Sequence, residues 1–237
     1  MKIPYILIRN HRAPERCDHV DSIMLNHPDK DFVVMNAVTP DRIETVVGEN
    51  NIRLHPGSYH SAKLSCYLSH YLVYDFIVKN NLHQVVVLED DFIFAENYDA
   101  DFKDLLTEVP DDFTVVRMYH DPCIHLAPHK DKKYITFMSC MAGDVGSLIS
   151  YNGAVIIRAL MRSVKLPEPH DYEIVRNMIR FVPNDLLIYR TNLTTNYNSV
   201  KALINTLGSI TIDRPGPLGS SIYSDKDYYI FSSMVHS

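Results

Sequence analysis

The sequence lacks the features that mark several common protein classes. It has no apolar run long enough to cross a bilayer, and none of its 4 cysteines belongs to a Cys-x-x-Cys pair of the kind found in structural zinc sites. Cysteines this few and scattered do not form a disulfide scaffold. The apolar start at residues 5–8 meets Arg9 at once and has no small-residue cleavage site. These absences predict a cytoplasmic protein with reduced thiols and no transmembrane segment.

An excess of positive charge is also missing. The net charge of -6 gives no general reason to bind nucleic acid or an anionic membrane, although 12 histidines outside that count leave a local basic patch open. Hydrophobic residues make up 46% and charged residues 22%, as in ordinary globular proteins. A chain of 237 residues is long enough for one sizeable α/β domain.

Strand-like and helix-like patterns alternate along the chain, which predicts an α/β fold with a single, mainly parallel sheet flanked by helices. Strands are predicted at residues 5–8, 31–35, 84–88, 113–118 and 147–150. Helices are predicted at residues 13–25, 61–79, 101–106, 153–164 and 171–180. We expect residues 1–200 to form the domain and residues 201–237 to be a C-terminal extension that packs on it or moves freely.

Three consecutive acids, Glu89-Asp90-Asp91, follow the apolar residues 85–88. Ligands of an open parallel sheet bind beyond the carboxyl ends of its strands, so the acids stand where a site is expected. Strand alternation would place Glu89 and Asp91 on one face and Asp90 on the other. Adjacent carboxylates repel one another and resist burial, and a divalent Mn²⁺ or Mg²⁺ ion would remove both objections. The alternative is a solvated acidic turn.

Further motifs accompany the acids between residues 3 and 195. They are Arg16 after the opening strand, residues 36–38 after the second strand, Ser69-His70 in a helix, Ser150-x-x-Gly153-Ala154, and Pro169-His170-Asp171. Together with Glu89-Asp90-Asp91 this set resembles glycosyltransferase family 25, which contains lipopolysaccharide and collagen galactosyltransferases.

The resemblance implies a GT-A-like fold, a UDP-sugar donor, a divalent metal and inversion at the anomeric carbon. Galactose is the first expected sugar and glucose the second, with a glycan, glycolipid or protein hydroxyl as acceptor. The implied metal ligands are Glu89 and Asp91. The implied catalytic residues are Asp171, as general base, and His170, as base or third metal ligand. The implied donor-binding residues are Asn10, Arg16, Ser69, His70 and Asp90.

Three of these residues also have an interpretation that involves no role in a site. His70 could be a core histidine, Arg16 a surface arginine, and Asp171 a helix cap. The sequence departs from the family where Lys63 replaces a glutamate and Ser65 a glycine before the Ser-His pair. That departure leaves open a non-catalytic nucleotide-sugar or carbohydrate-binding protein. A metal phosphoesterase would need a second ligand cluster, which the sequence does not offer.

Overall fold

A computed structural model describes most of the first two thirds of the chain. The described residues are 2–54, 61–109, 111, 113–118, 126–128, 135–138, 145–164, 180–183 and 188–190. All elements, contacts and clefts named below are formed by these residues.

Strands and helices alternate from residue 5 to residue 89, and beyond that point several strands of the described residues follow one another without a helix between them. The strands are β1 (Tyr5–Arg9), β2 (Phe32–Asn36), β3 (Arg53–Leu54), β4 (Gln84–Glu89), β5 (Phe92–Phe94), β6 (Val115–Arg117), β7 (Leu126–Pro128), β8 (Ile135–Met138), β9 (Gly146–Ser150), β10 (Ser163–Val164), β11 (Arg180–Pro183) and β12 (Ile188–Arg190). The helices are α1 (Pro14–Asn26), α2 (Ile43–Glu49), α3 (Ser61–Lys79), α4 (Tyr98–Glu108) and α5 (Tyr151–Met161), with a 3₁₀ turn at Pro40–Arg42.

Eight strands form one sheet in the order β2-β1-β4-β9-β6-β11-β8-β7. β1 lies between β2 and β4 and is parallel to both. β9 runs antiparallel between β4 and β6, so Gly146 at its start lies beside Leu88 near the end of β4. Two small two-stranded sheets, β10-β3 and β12-β5, complete the pairing.

The predicted α/β class with flanking helices is confirmed, but the sheet is mixed rather than mainly parallel. β9 and β8 each pair antiparallel with their neighbours. Two parallel strands need a long crossover between them, usually a helix, which brings the chain back to the edge of the sheet where the first strand began. Antiparallel strands need no such crossover, and the described part of the segment between β6 and β9 consists of strands β7 and β8.

The core has two layers, one on each face of the sheet. Alternate side chains of a strand point to opposite faces, and in β1 Ile6 and Ile8 join one buried cluster while Tyr5 and Leu7 join the other. Helices α2, α3 and α5 cover the first face, and α1 and α4 cover the second. Helix α3 is buried around most of its circumference, which is typical of a helix inside a core.

The Ser-x-x-Gly-Ala motif fixes the start of α5. The Ser150 hydroxyl accepts a hydrogen bond from the Gly153 amide at 3.0 Å and donates one to the Phe113 carbonyl at 2.6 Å. It therefore caps the helix and ties it to the neighbouring strand. A Cβ atom at position 153 would lie 2.1 Å from the Thr114 carbonyl oxygen, so only glycine permits this approach. The motif has a packing role here.

Nine of the predicted elements agree with the structure apart from shifts at their ends, and the exceptions are informative. The predicted helix 101–106 is longer, because α4 starts at Tyr98. Helix α2 was not predicted, and neither were the strands β3, β5, β7, β8, β10, β11 and β12. Most of the predicted helix 171–180 lies outside the described residues, and its last residue, Arg180, begins a strand. The extension at 201–237 also lies outside them, so the division into 1–200 and 201–237 stays a prediction.

Candidate functional site at the carboxyl edge of the sheet

A cleft opens where β1, β2 and β4 end together. Their parallel register places Arg9 beside Asn36 and Ile8 beside Glu89, so the segments that follow the three strands meet at one edge. Helix α3 closes one side, and the cleft has a volume of about 190 Å³. It lies where open α/β sheets bind ligands. The predicted donor and metal residues all line it, namely Asn10, Arg16, Ser69, His70, Glu89, Asp90 and Asp91.

Arg16 of α1 holds two of the three acids. Its guanidinium is paired with the Asp90 carboxylate, and its Nη2 atom lies 3.6 Å from Oδ2 of Asp91. All three residues are buried, with 2%, 4% and 4% of their surface exposed. The backbone amide of Asn10 also donates a hydrogen bond to Oδ2 of Asp90 at 2.6 Å. Arg16 is therefore part of the buried edge of the site, and its interpretation as a surface arginine is wrong.

The charges at this corner depend on one another. Burial raises the pKa of Asp90 above its ordinary value, although Arg16 and the Asn10 amide act in the opposite direction. Burial alone would lower the pKa of Arg16, but the negative charges of Asp91 and Asp90 outweigh it and raise that pKa. The guanidinium is accordingly a permanent cation at this position.

Glu89 faces helix α3 instead. Its Oε1 atom lies 3.1 Å from Nε2 of His70 and 3.7 Å from the Cys66 sulfur. His70 is 1% exposed, while the Glu89 side chain keeps 18% of its surface open to the cleft. His70 is thus a buried histidine that contacts an acid of the site rather than a backbone group.

The acidic triplet therefore divides between two helices. β4 ends at Glu89 and Asp90-Asp91 form a turn, so strand alternation does not extend through the triplet. The expectation that Glu89 and Asp91 share a face, with Asp90 opposite, is wrong: Asp90 and Asp91 share Arg16. Among the described residues, the one set of three potential metal-ligating groups that converge within 4.8 Å is Cys66, His70 and Glu89.

Ser69 fixes the wall of the cleft formed by α3. Its hydroxyl accepts from the Val38 amide at 2.8 Å and donates to the Ser65 carbonyl at 2.7 Å, which joins the helix to the segment after β2. Ser65 lines the cleft, is buried, and its hydroxyl finds no hydrogen-bond partner among the described residues.

Cys66 also belongs to this wall, although no role in the site was predicted for it. Cys66 stands four positions before His70, and residues at that spacing share a helix face. The Cys-x-x-x-His pattern was the signal that would have identified it.

Several predictions fall outside the described residues. Asp171 and His170, the predicted catalytic pair, are among them, as are Cys123 and Cys140. Cys17 and Cys66 are not joined in a disulfide bond. None of the helices in the described ranges is both long and apolar enough to cross a membrane.

The excess of negative charge limits what the cleft can bind. The cleft is lined by three carboxylates, those of Glu89, Asp90 and Asp91, and by the one buried guanidinium of Arg16, which leaves two negative charges in excess when all four groups are ionised. The other arginine of the cleft, Arg12, is half exposed and paired with Asp41 at 2.8 Å. An anionic ligand would be repelled unless a cation entered with it, and carboxylate oxygens suit a hard divalent cation.

Known proteins resemble this chain in sequence. A family profile described as "Glycosyltransferase family 25 (LPS biosynthesis protein)" matches residues 3–172. A Haemophilus influenzae protein that carries a provisional glycosyltransferase name is 24% identical over 159 residues. That match covers 63% of this chain and 55% of the relative, so the chain spans only about half of the curated protein that it matches.

Solved structures overlap over most of the chain at low identity. A glycosyltransferase involved in the glycosylation of the major capsid of PBCV-1 gives a TM-score of 0.44 at 9% identity, covering 87% of this chain and 98% of its own. Mouse xyloside xylosyltransferase 1 gives 0.41 at 9% identity, covering 92% and 96%. The inositol-1-phosphate CTP transferase of T. maritima gives 0.41 at 11% identity, covering 90% and 99%. TM-scores this low carry no argument about function.

Proposed function

Since the chain belongs to glycosyltransferase family 25, we propose that it transfers a hexosyl group from a UDP-sugar to a hydroxyl of a glycan, glycolipid or protein. Galactose is the first sugar to test and glucose the second, as the family resemblance implies. The family description names LPS biosynthesis, which favours a saccharide acceptor. The observation that supports the proposal is the acid-lined cleft at the carboxyl edge of the sheet.

Under this proposal, three of the predicted donor-binding residues, Asn10, Arg16 and Ser69, act by holding neighbouring groups in place. Arg16 and the Asn10 amide act through Asp90, whose carboxylate they hold in place. Ser69 acts through Val38, whose amide it binds. Donor groups would then meet side chains and backbone that are already fixed, which lowers the entropy lost on binding.

A divalent Mn²⁺ or Mg²⁺ ion fits the donor chemistry of this edge. Glu89 and Asp91 would hold it, since both line the cleft and offer the oxygen ligands that such ions prefer. When bound, the ion would neutralise the diphosphate leaving group. Glu89 contacts His70 and Asp91 contacts Arg16, so an ion must compete with both contacts. We therefore expect it to bind weakly alone and tightly together with a nucleotide diphosphate.

An inverting transfer needs a base that removes the acceptor proton as the hydroxyl attacks the anomeric carbon. We propose Asp171 for this role, with His170 beside it. Replacing Asp171 by Asn should lower turnover by at least about 100-fold, in line with the usual size of general base catalysis. UDP-sugar affinity should change little, because the base acts on the acceptor.

A thermal-shift screen tests donor binding. UDP-galactose, UDP-glucose, UDP and a GDP-sugar are compared with and without Mn²⁺, because a ligand that binds only the folded state raises the melting temperature. We expect a rise with a UDP-sugar plus Mn²⁺ and little with either alone. Asp91→Ala should abolish the rise, whereas Glu96→Gln, which changes an exposed acid nearby, should keep it. No rise with any UDP compound, or an equal rise in Asp91→Ala, would contradict the proposal.

Release of UDP from the donor separates an enzyme from a binding protein. Slow hydrolysis of the UDP-sugar in the presence of Mn²⁺, lost in Asp171→Asn, is the expected result. A melting-temperature rise without any release of UDP across donors and acceptors would instead identify the non-catalytic binding protein that Lys63 leaves open.

A further inference from the structure

Helix α3 and the end of β4 bring together a set of three side chains that shares only Glu89 with the predicted manganese ligands. Cys66 and His70 are four residues apart and lie on one face of α3. Glu89 reaches them from β4, with its Oε1 atom 3.1 Å from His70 Nε2 and 3.7 Å from Cys66 Sγ. All three side chains offer a donor atom within 4.8 Å of the others.

These separations suit a single tetrahedral ion. Zinc binds nitrogen and carboxylate oxygen at about 2.0–2.2 Å and thiolate sulfur at about 2.3 Å. A tetrahedral arrangement with those bond lengths separates neighbouring ligand atoms by roughly 3.3–3.7 Å. The Oε1–Nε2 distance of 3.1 Å is slightly shorter, and the Oε1–Sγ distance of 3.7 Å lies at the upper end of that interval. The donor atoms of Cys66 and His70 lie within 4.8 Å of one another, so side-chain rotations would be enough to enclose an ion.

The kinds of donor atom select the metal. Mn²⁺ and Mg²⁺ prefer oxygen ligands, whereas a thiolate with an imidazole favours zinc and similar ions. All three residues line the cleft, so a fourth position would face it. Three protein ligands and one open position are the pattern of accessible zinc sites, while structural sites use four protein ligands.

We propose that Cys66, His70 and Glu89 bind a zinc-class divalent cation at the cleft. Binding would release the Cys66 thiol proton to solvent and form a metal–sulfur bond, with no redox change. The site itself does not depend on the proposed function. One consequence does: Glu89 is also a proposed manganese ligand, so a zinc ion there would exclude manganese and inhibit transfer.

Cobalt(II) tests the site directly, because it occupies zinc sites and gives a thiolate-to-metal charge-transfer absorption. We expect one equivalent of cobalt to give this band in the wild-type protein and zinc to remove it. Cys66→Ser should abolish the band. Cys17→Ser is the matched control, because it removes the other cysteine of the described residues, which lies in α1, and it should keep the band.

A second variant keeps the test decisive if Cys66→Ser folds poorly. Glu89→Gln should weaken cobalt binding by more than about tenfold, the loss typical of outer-shell partners alone, while the thiolate band remains at saturation. Absence of the band in wild type, its survival in Cys66→Ser or its loss in Cys17→Ser would each overturn the proposal.

Inhibition connects the site to transfer and separates the two proposals. Zinc should inhibit manganese-supported activity in wild type and inhibit Cys66→Ser by a smaller fraction. A cobalt band without UDP-sugar binding would leave the zinc site intact and remove the proposed function. Transfer without a cobalt band would do the reverse.

Discussion

The two sides of the acidic triplet differ in how they are held. On the α1 side, Asp90 and Asp91 are buried against Arg16, and no more than 4% of any of the three is exposed. On the α3 side, Glu89 keeps 18% of its side chain open and contacts His70 and Cys66, which are themselves groups that bind metals. The first side has the character of a support, although its Asp91 is also a proposed manganese ligand, and the second that of a site that can exchange partners. Adjacent acids in a sequence therefore need not share a task.

This comparison also changes the reason for expecting a cation. Mutual repulsion of the three carboxylates is relieved partly by Arg16 and by the separation of Glu89 from the other two. The remaining need for positive charge arises when an anionic ligand enters the cleft. A cation is then expected to bind together with that ligand.

Removing the buried cation on the α1 side should have the largest effect on stability. Arg16→Leu leaves Asp90 and Asp91 buried without their partner, and loss of one member of a buried ion pair costs about 3–5 kcal/mol. Urea denaturation measures the free energy of unfolding. The control is Arg12→Met, whose half-exposed pair with Asp41 should contribute less than about 1 kcal/mol. Equal losses in the two variants would contradict the distinction between support and site.

A change remote from the cleft should have an intermediate effect. Gly153→Ala forces a methyl group against the Thr114 carbonyl oxygen, and overpacking of this kind costs about 1–3 kcal/mol. Gly48→Ala is the control, because a Cβ atom there meets nothing within 4 Å and the residue lies in α2. It should be neutral or stabilise by up to about 1 kcal/mol. If both variants had the same stability, the close approach of α5 to the sheet would be in doubt.

The smallest loss of stability is expected on the α3 side. Glu89→Gln keeps an oxygen that can contact His70 and removes one partly exposed charge, so the free energy of unfolding should change by less than about 1 kcal/mol. The same variant should lose the manganese-dependent rise in melting temperature with a UDP-sugar. A large loss of stability would instead mark Glu89 as part of the support, like Asp90 and Asp91.

Much of the fold could be predicted from the sequence because its central strands and its longest described helix are buried apolar segments. The apolar residues of β1 and β4 and the long helix α3 carry strong local signals, and their predicted positions are confirmed. Helix α2 has only seven residues and contains Gly48, so its local signal is weak. The direction of β9 depends on pairing with β4 and β6, which no local pattern encodes.

The sequence predicted which residues form the site better than it predicted how those residues are arranged. The predicted donor and metal residues do line one cleft, although their roles stay predictions, as do the roles of His170 and Asp171. The pairing of Arg16 with Asp90 joins positions 74 residues apart, and it depends on how α1 packs against the sheet. Cys66 had no predicted role in the site, because its proximity to Glu89 depends on how α3 packs against β4.

The shared burial of Arg16, Asp90 and Asp91 also constrains how this protein can diverge. Replacing Arg16 alone would strand two carboxylates in the interior, so an arginine lost from this position should be lost together with both acids. In an alignment of relatives, a chain that has lost the arginine should also have neutral residues where the two aspartates stand. Such covariation would let the architecture of this corner be traced in distant homologues whose overall identity is too low for other comparison.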